Sequence, residues 1–217
     1  MRAAERSKRD PDSVRLVAVS KTFGVEQVRA AAAAGQADFG ENKVQEALPK
    51  IAATADLPIR WHLVGHLQSN KARKAAGAFH LIHSLDSIEL FEKLDEAAAA
   101  ARHTIDLLVQ VDLAREPTKH GVGERDLQPI FMAARNGTAA RVAGLMLLPP
   151  VVQNAEDARA YFRELKAVRD RLLDGGTDPS MLRELSMGMS HDFEVAVEEG
   201  ATMVRLGTAI FGERTYV

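Results

Sequence analysis

Short apolar runs alternate with helical segments along the whole chain, and this alternation restricts the fold more than any other feature. The eight runs span residues 15–19, 37–39, 61–64, 80–83, 105–111, 141–146, 183–186 and 202–206. Strict alternation of strand and helix implies a parallel sheet with right-handed crossovers. Eight strand–helix units are the number that closes a (β/α)₈ barrel.

The segments between the runs have the periodicity and the end signals of helices. The predicted helices include residues 25–34, 88–98, 154–172 and 192–199. Gly35 and Gly200 follow two of them as stop signals, and Asp86 with Glu89 predicts a capping box at the start of another. The competing fold is a doubly wound open sheet, but no G-x-G-x-x-G follows the first strand and the sequence has no P-loop.

No composition shift or linker divides the chain. We therefore predict one domain over residues 1–217, a single (β/α)₈ TIM barrel with a short N-terminal segment at 1–13. The net charge of −2 and the pI near 6.4 do not favour a nucleic acid or an anionic membrane as partner. The absence of cysteine excludes disulfides and thiolate chemistry and favours a cytoplasmic location.

Polar residues and glycines gather where the predicted strands end, which is the face that carries the chemistry in such barrels. Lys21 follows the first strand and ends an apolar run. An ordinary lysine, with a pKa of about 10.4, is protonated and unreactive. Desolvation or a neighbouring cation such as Arg205 would lower that pKa and let the amine condense with an aldehyde. The alternative is a solvated loop lysine.

The segments "SMGMSHD" and "RLGTAIFG" follow or overlap the last two predicted strands. Both place glycines and hydroxyl groups between a strand and a helix, which exposes backbone N–H groups to an anion. The loops after strands seven and eight commonly hold phosphate in these barrels. The alternative is ordinary capping, with Ser190 as a helix N-cap and Gly207 as a turn residue.

Four histidines, His62, His66, His80 and His83, lie close together in the sequence. No H-x-x-x-H pattern on a helix and no paired carboxylates accompany them, so we predict no metal site.

Five motifs carry a resemblance to a known family. They are "LVAVSKT", "FGENKVQEA", "WHLVGHLQSNK", "GLMLLPP" and "LSMGMSHDFEVAVEEGATMVRLGTAIFGER", and they lie between residues 14 and 214. The chain resembles the pyridoxal phosphate homeostasis proteins, barrel relatives of the alanine racemase N-terminal domain. The resemblance implies that Lys21 carries pyridoxal 5′-phosphate as an internal aldimine. It also implies that Ser186, Gly207 and Thr208 hold the phosphate, that Asn42 lies beside the ring, and that Arg205 faces the pyridine nitrogen.

An arginine at that nitrogen only donates hydrogen bonds, so the bound cofactor would stabilise carbanions weakly. The only tyrosines are Tyr161 and Tyr216, and neither is an obvious second base for racemisation. We therefore expect a monomeric protein that stores or delivers pyridoxal 5′-phosphate with little or no turnover, with apo forms of enzymes that use this cofactor as candidate partners. The alternatives are a pyridoxal-phosphate-dependent racemase or lyase, a cofactor-free Schiff-base aldolase, and a protein-interaction module.

Overall fold

The structure, a computed structural model, describes residues 2–114 and 120–213. Within these residues, eight parallel strands form a closed barrel in sequence order, and the last strand pairs with the first. The strands are β1 (Arg15–Val19), β2 (Asp38–Glu41), β3 (Arg60–Leu63), β4 (Leu81–Leu85), β5 (Ile105–Val111), β6 (Ala140–Leu147), β7 (Glu184–Met189) and β8 (Met203–Leu206). The predicted (β/α)₈ TIM barrel is confirmed.

Helices connect the strands and cover the outside of the barrel. They are α1 (Arg2–Arg6), α2 (Val25–Ala33), α3 (Val44–Ala53), α4 (Ala72–Ala76), α5 (Ile88–Ala100), α6 (Leu127–Ala134), α7 (Arg159–Asp174), α8 (Phe193–Glu198) and α9 (Thr208–Phe211). The helix predicted over 154–172 starts later, because residues Ala155–Ala158 form a 3₁₀ turn. None of the helices in the described ranges is both long and apolar enough to cross a bilayer.

The main core lies between the barrel and the helices. The buried face of α7 shows the pattern that produces it, with Phe162, Leu165, Val168 and Leu172 recurring every three or four residues. These side chains join apolar residues from the outer surface of the strands in one continuous cluster. Tyr161 is partly buried beside this cluster, and Tyr216 lies outside the described residues.

The predicted capping box at the start of α5 is wrong. Ser87 occupies the N-cap position, and its side chain accepts a hydrogen bond from the backbone N–H of Leu90 at 3.1 Å. The Glu89 side chain instead accepts a hydrogen bond from Lys93, one turn further along the helix, at 2.6 Å. Asp86 points away from the helix, with Oδ2 lying 3.4 Å from Nδ1 of His66.

The strand β7 is longer than the sequence predicts, and this changes the position of one candidate site residue. The predicted strand ended at Ser186, whereas β7 continues to Met189. Its pairing with β8 shifts register between Ser186 and Met189, and Gly188 has a φ of +95° in this irregular stretch. A Cβ at Gly188 would lie 2.6 Å from the Cβ of Ala196, so the α8 packing also requires glycine there. Ser186 therefore lies inside the barrel wall rather than on the loop beyond it.

Candidate functional site

A cavity of about 590 Å³ opens at the carboxyl ends of the strands. Five of the six predicted site residues line it, namely Lys21, Asn42, Arg205, Gly207 and Thr208. The structure thus brings together a primary amine, an amide, a guanidinium and the loop after β8. The sixth residue, Ser186, is fully buried below the cavity and does not line it.

Lys21 sits on a tight turn immediately after β1. The turn is closed by the backbone N–H of Phe23, which donates to the carbonyl of Ser20 at 3.1 Å. Thr22 has a φ of +71°, a left-handed conformation that costs a residue with a Cβ about 1–2 kcal/mol. Backbone strain of this kind persists only where the surroundings impose it, and it concentrates at functional sites. The fold thus holds Lys21 at the cavity at some cost in backbone energy.

A buried ion pair supports this turn from below. The carboxylate of Glu41, at the end of β2, is completely buried and accepts hydrogen bonds from Ser20 Oγ at 2.7 Å and Lys50 Nζ at 2.6 Å. Lys50 reaches in from α3 and also donates to the Ser20 carbonyl at 2.8 Å. The ends of β1 and β2 are therefore tied together directly beneath Lys21. Sequence analysis did not identify the role of Lys50, because a lysine near the end of a helix is usually solvated.

Arg205 on β8 brings a buried positive charge to the cavity. Its Nη1 donates to Ser186 Oγ at 2.5 Å and its Nη2 donates to the carbonyl of Leu147 at 2.8 Å. Burial lowers the pKa of Arg205 to about 10, so the guanidinium remains charged at neutral pH. No carboxylate of residues 2–114 or 120–213 forms an ion pair with it. A buried cation held by neutral groups favours a ligand atom that accepts hydrogen bonds or carries negative charge.

A column of buried side chains continues from Arg205 through the interior of the barrel. Ser186 Oγ lies 2.8 Å from His83 Nδ1, His83 Nε2 lies 3.0 Å from His62 Nδ1, and His62 Nε2 lies 2.9 Å from Asp38 Oδ1. At the far end, Arg60 donates two hydrogen bonds to the Asp38 carboxylate, at 2.8 and 2.6 Å. The column connects the floor of the cavity to the opposite face of the barrel.

The two ends of this column fix the direction of every hydrogen bond in it. Arginine can only donate and an ionised carboxylate can only accept. Ser186 therefore donates to His83, His83 donates from Nε2 to His62, and His62 donates from Nε2 to Asp38. Burial lowers the pKa of both histidines, which keeps both rings neutral. Although burial opposes it, hydrogen bonds from His62 and Arg60 hold the pKa of Asp38 well below its usual range.

The position of Ser186 differs from the one that the family resemblance implies. Its hydroxyl accepts from Arg205 and donates to His83, so its role in this structure is to position the guanidinium. The serine that lines the cavity is Ser190, whose Oγ accepts hydrogen bonds from the N–H groups of Gly207 at 3.2 Å and Ala209 at 3.4 Å. Ser190 is not the N-cap of α8, because Asp192 occupies that position. Ser190 instead joins the loops after β7 and β8.

The loops after β2 and β3 touch at Asn42 and Gly65, which both line the cavity. An added Cβ at Gly65 would lie only 2.2 Å from the backbone oxygen of Asn42. The Gly65 carbonyl accepts a hydrogen bond from Ser84 Oγ at 2.8 Å, which holds this loop against the end of β4. The position of Asn42 thus depends on the missing side chain at residue 65.

Comparison with known proteins identifies the family of this chain. The alanine racemase N-terminal domain family matches residues 2–215. The chain is 43% identical over 215 residues to the pyridoxal phosphate homeostasis protein of Aquifex aeolicus, covering 99% of this chain and 93% of the relative. The protein of the same name from Pseudomonas aeruginosa is also 43% identical over 215 residues, with coverage of 99% and 90%. The chain belongs to the pyridoxal phosphate homeostasis protein family.

Solved structures of family members share the whole fold. PipY of Synechococcus elongatus, solved without PLP, is 42% identical with a TM-score of 0.88, covering 97% of this chain and 98% of that one. The PipY structure with PLP bound has a TM-score of 0.87. The alanine racemase of Clostridium difficile is only 14% identical and shows the fold alone, with a TM-score of 0.75, and the match covers 56% of its length.

Replacing Gly65 with alanine tests the loop contact. We expect Gly65→Ala to lower the free energy of unfolding by about 1–3 kcal/mol, because the new Cβ must displace the Asn42 backbone. Gly77→Ala is the matched control, since the nearest heavy atom to its Cβ would be 3.9 Å away. Urea denaturation followed by circular dichroism measures both. Equal stabilities of the two variants would contradict the proposed close contact.

Replacing His83 with leucine tests the buried column. We expect His83→Leu to lower the free energy of unfolding by about 2–4 kcal/mol, because it leaves the Ser186 hydroxyl proton without an acceptor and the buried His62 Nδ1 without a donor. His80→Gln, at an exposed position, should change it by less than about 0.5 kcal/mol. The same urea titration measures both.

The hydrogen-bond directions have their own test in the native protein. Nitrogen-15 NMR of the histidine rings should show His62 and His83 as neutral tautomers that carry the proton on Nε2. A protonated ring, or a proton on Nδ1 of either residue, would show that the column is not arranged as described.

Proposed function

We propose that this chain binds pyridoxal 5′-phosphate in the cavity at the strand ends, forms a Schiff base with it through Lys21, and takes part in the homeostasis of this cofactor. The main observation behind the proposal is that three features line one cavity: the amine of Lys21, the buried guanidinium of Arg205, and the loops after β7 and β8 with their hydroxyl groups. The names of the relatives and the PLP-bound structure of PipY support it independently.

The residues fit the chemical groups of this cofactor. The cavity volume of about 590 Å³ lies within the range of roughly 300–1,000 Å³ that is usual for small-molecule sites. Ser190, Gly207 and Thr208 offer hydroxyl and backbone groups for the phosphate, and Asn42 offers an amide beside the ring. When bound, the cofactor supplies a reactive aldehyde. The amine of Lys21, in its neutral form, would condense with this aldehyde with loss of water.

Arg205 suits binding better than turnover. Its guanidinium is charged, donates only, and is held in place by Ser186 and the Leu147 carbonyl. Such a group pairs with a pyridine nitrogen that has kept its lone pair, and an unprotonated ring withdraws electrons weakly. We therefore propose storage and delivery of the cofactor as the role of this chain, rather than catalysis on amino acids.

The rim of the site is accessible for exchange. Thr208 is exposed and Lys21 is only partly buried. Phe23, which lines the cavity, packs against Phe211 of α9 with ring centroids 5.1 Å apart. We propose that apo forms of pyridoxal-phosphate-dependent enzymes in the cytosol receive the cofactor from this opening.

Borohydride reduction followed by peptide mass mapping tests the covalent bond. We expect the loaded chain to be modified at Lys21, because this lysine lines the cavity, and the Lys21→Ala variant to lose colour on dialysis with at least a ~100-fold weaker retention of the cofactor. Lys43→Ala is the control, since Lys43 is exposed and pairs with Glu46 at 2.8 Å. Unchanged retention in Lys21→Ala would contradict the proposal.

Transfer is tested separately. The loaded chain should activate an apo-enzyme faster than the same concentration of free cofactor does. A rate no faster than with free cofactor would exclude delivery while leaving storage intact. Sustained exchange of the α-hydrogen of single amino acids in deuterated water would instead favour a racemase or a related enzyme.

A further inference from the structure

Three side chains with metal-binding groups meet at the mouth of the cavity. His66 lies in the loop after β3, Asp86 follows β4, and His120 precedes α6. One ring nitrogen of each histidine and one carboxylate oxygen lie within 4.8 Å of one another. The sequence did not predict this cluster, because only the closure of the barrel brings residues so far apart in the chain together.

The loops that carry His120 and His66 are each tied to a strand. His120 is fixed by the Gln110 amide, which donates to its carbonyl at 2.5 Å. Two residues later, Val122 pairs with β5 through backbone bonds of 2.9 Å to Gln110 and Asp112. The loop carrying His66 is held by the hydrogen bond from Ser84 to the Gly65 carbonyl, at 2.8 Å. The cluster is therefore positioned by the barrel and not by surface contacts alone.

The three side chains of the cluster interact only weakly with one another. The rings of His66 and His120 are stacked with centroids 3.5 Å apart and planes inclined by 8°, an arrangement that disfavours charge on both. His66 Nδ1 and Asp86 Oδ2 are 3.4 Å apart, long for a charged hydrogen bond. Burial and the neighbouring His120 lower the pKa of His66, while burial raises the pKa of Asp86.

We propose that His66, Asp86 and His120 bind one divalent transition-metal ion of the zinc class. Two neutral imidazoles and one carboxylate are the ligand set of zinc sites that keep an open coordination position. Zinc bonds of about 2.0–2.2 Å would place tetrahedral ligand atoms about 3.3–3.6 Å apart. Because an imidazole binds metal through a lone pair in its ring plane, one of the two stacked rings must turn out of the stack when the ion binds. Cobalt(II) accepts the same ligands and reports its geometry by its visible spectrum.

The test is a titration of the tag-free, chelator-treated chain with Zn²⁺ by calorimetry and with Co²⁺ by visible absorption. We expect one ion per chain. Each of His66→Ala, Asp86→Asn and His120→Ala should weaken binding at least ~10-fold, because each removes one ligand. His103→Ala is the control, since His103 pairs edge-on with His80 at the other end of the barrel, at a centroid distance of 6.2 Å, and should leave the affinity unchanged.

The metal titrations test the proposal on the chain without pyridoxal 5′-phosphate. Absence of stoichiometric binding, or equal affinity in the three ligand variants and the wild type, would overturn the proposal. Asp86→Asn keeps the size of the side chain, so it stays informative if an alanine variant fails to fold, which a thermal melt would reveal. Because no pyridoxal 5′-phosphate is present, failure here is distinct from failure of the proposed function.

Discussion

The site depends on a positive charge buried in the barrel wall. Arg205 is only 4% exposed, and its hydrogen-bond partners on the protein are a hydroxyl and a carbonyl. Burial of a guanidinium among neutral groups is unfavourable, so the surroundings must compensate for it. The negative charge of the buried Asp192 opposes this effect by raising the pKa of Arg205, whereas the charge of Asp38, at the far end of the column, is paired with Arg60. Because none of the described carboxylates forms an ion pair with Arg205, the guanidinium makes this end of the cavity electropositive. The cavity therefore suits a ligand atom that accepts hydrogen bonds.

Two further constraints prepare the same cavity. The ion pair of Glu41 with Lys50 fixes the end of β1, and the left-handed backbone at Thr22 then turns Lys21 toward the cavity. Both are features that a chain selected for stability alone would not need: one buries charge and the other strains the backbone. Both act on the residues next to the amine, because Glu41 and Lys50 bind Ser20 and the strained residue is Thr22, which is consistent with a role for Lys21 beyond packing.

The sequence was sufficient for the barrel and for most of the cavity. Alternation of strands and helices is a local signal, and the polar residues at strand ends meet because parallel strands end at one rim. The seventh strand was predicted to end at Ser186, and its continuation to Met189 was missed because the stretch around Gly188 is irregular. The histidine column and Lys50 were missed because their partners are distant in sequence. Hydrogen bonds between side chains of different strands do not change the hydrophobic periodicity of the sequence.

The central claim is that the buried guanidinium faces a nitrogen that has kept its lone pair. Nitrogen-15 NMR of the chain loaded with cofactor labelled at the pyridine nitrogen measures this directly. The account predicts an unprotonated nitrogen whose resonance changes when Arg205 is replaced by leucine in a variant that still folds. A protonated nitrogen, or a resonance that is insensitive to that replacement, would contradict it.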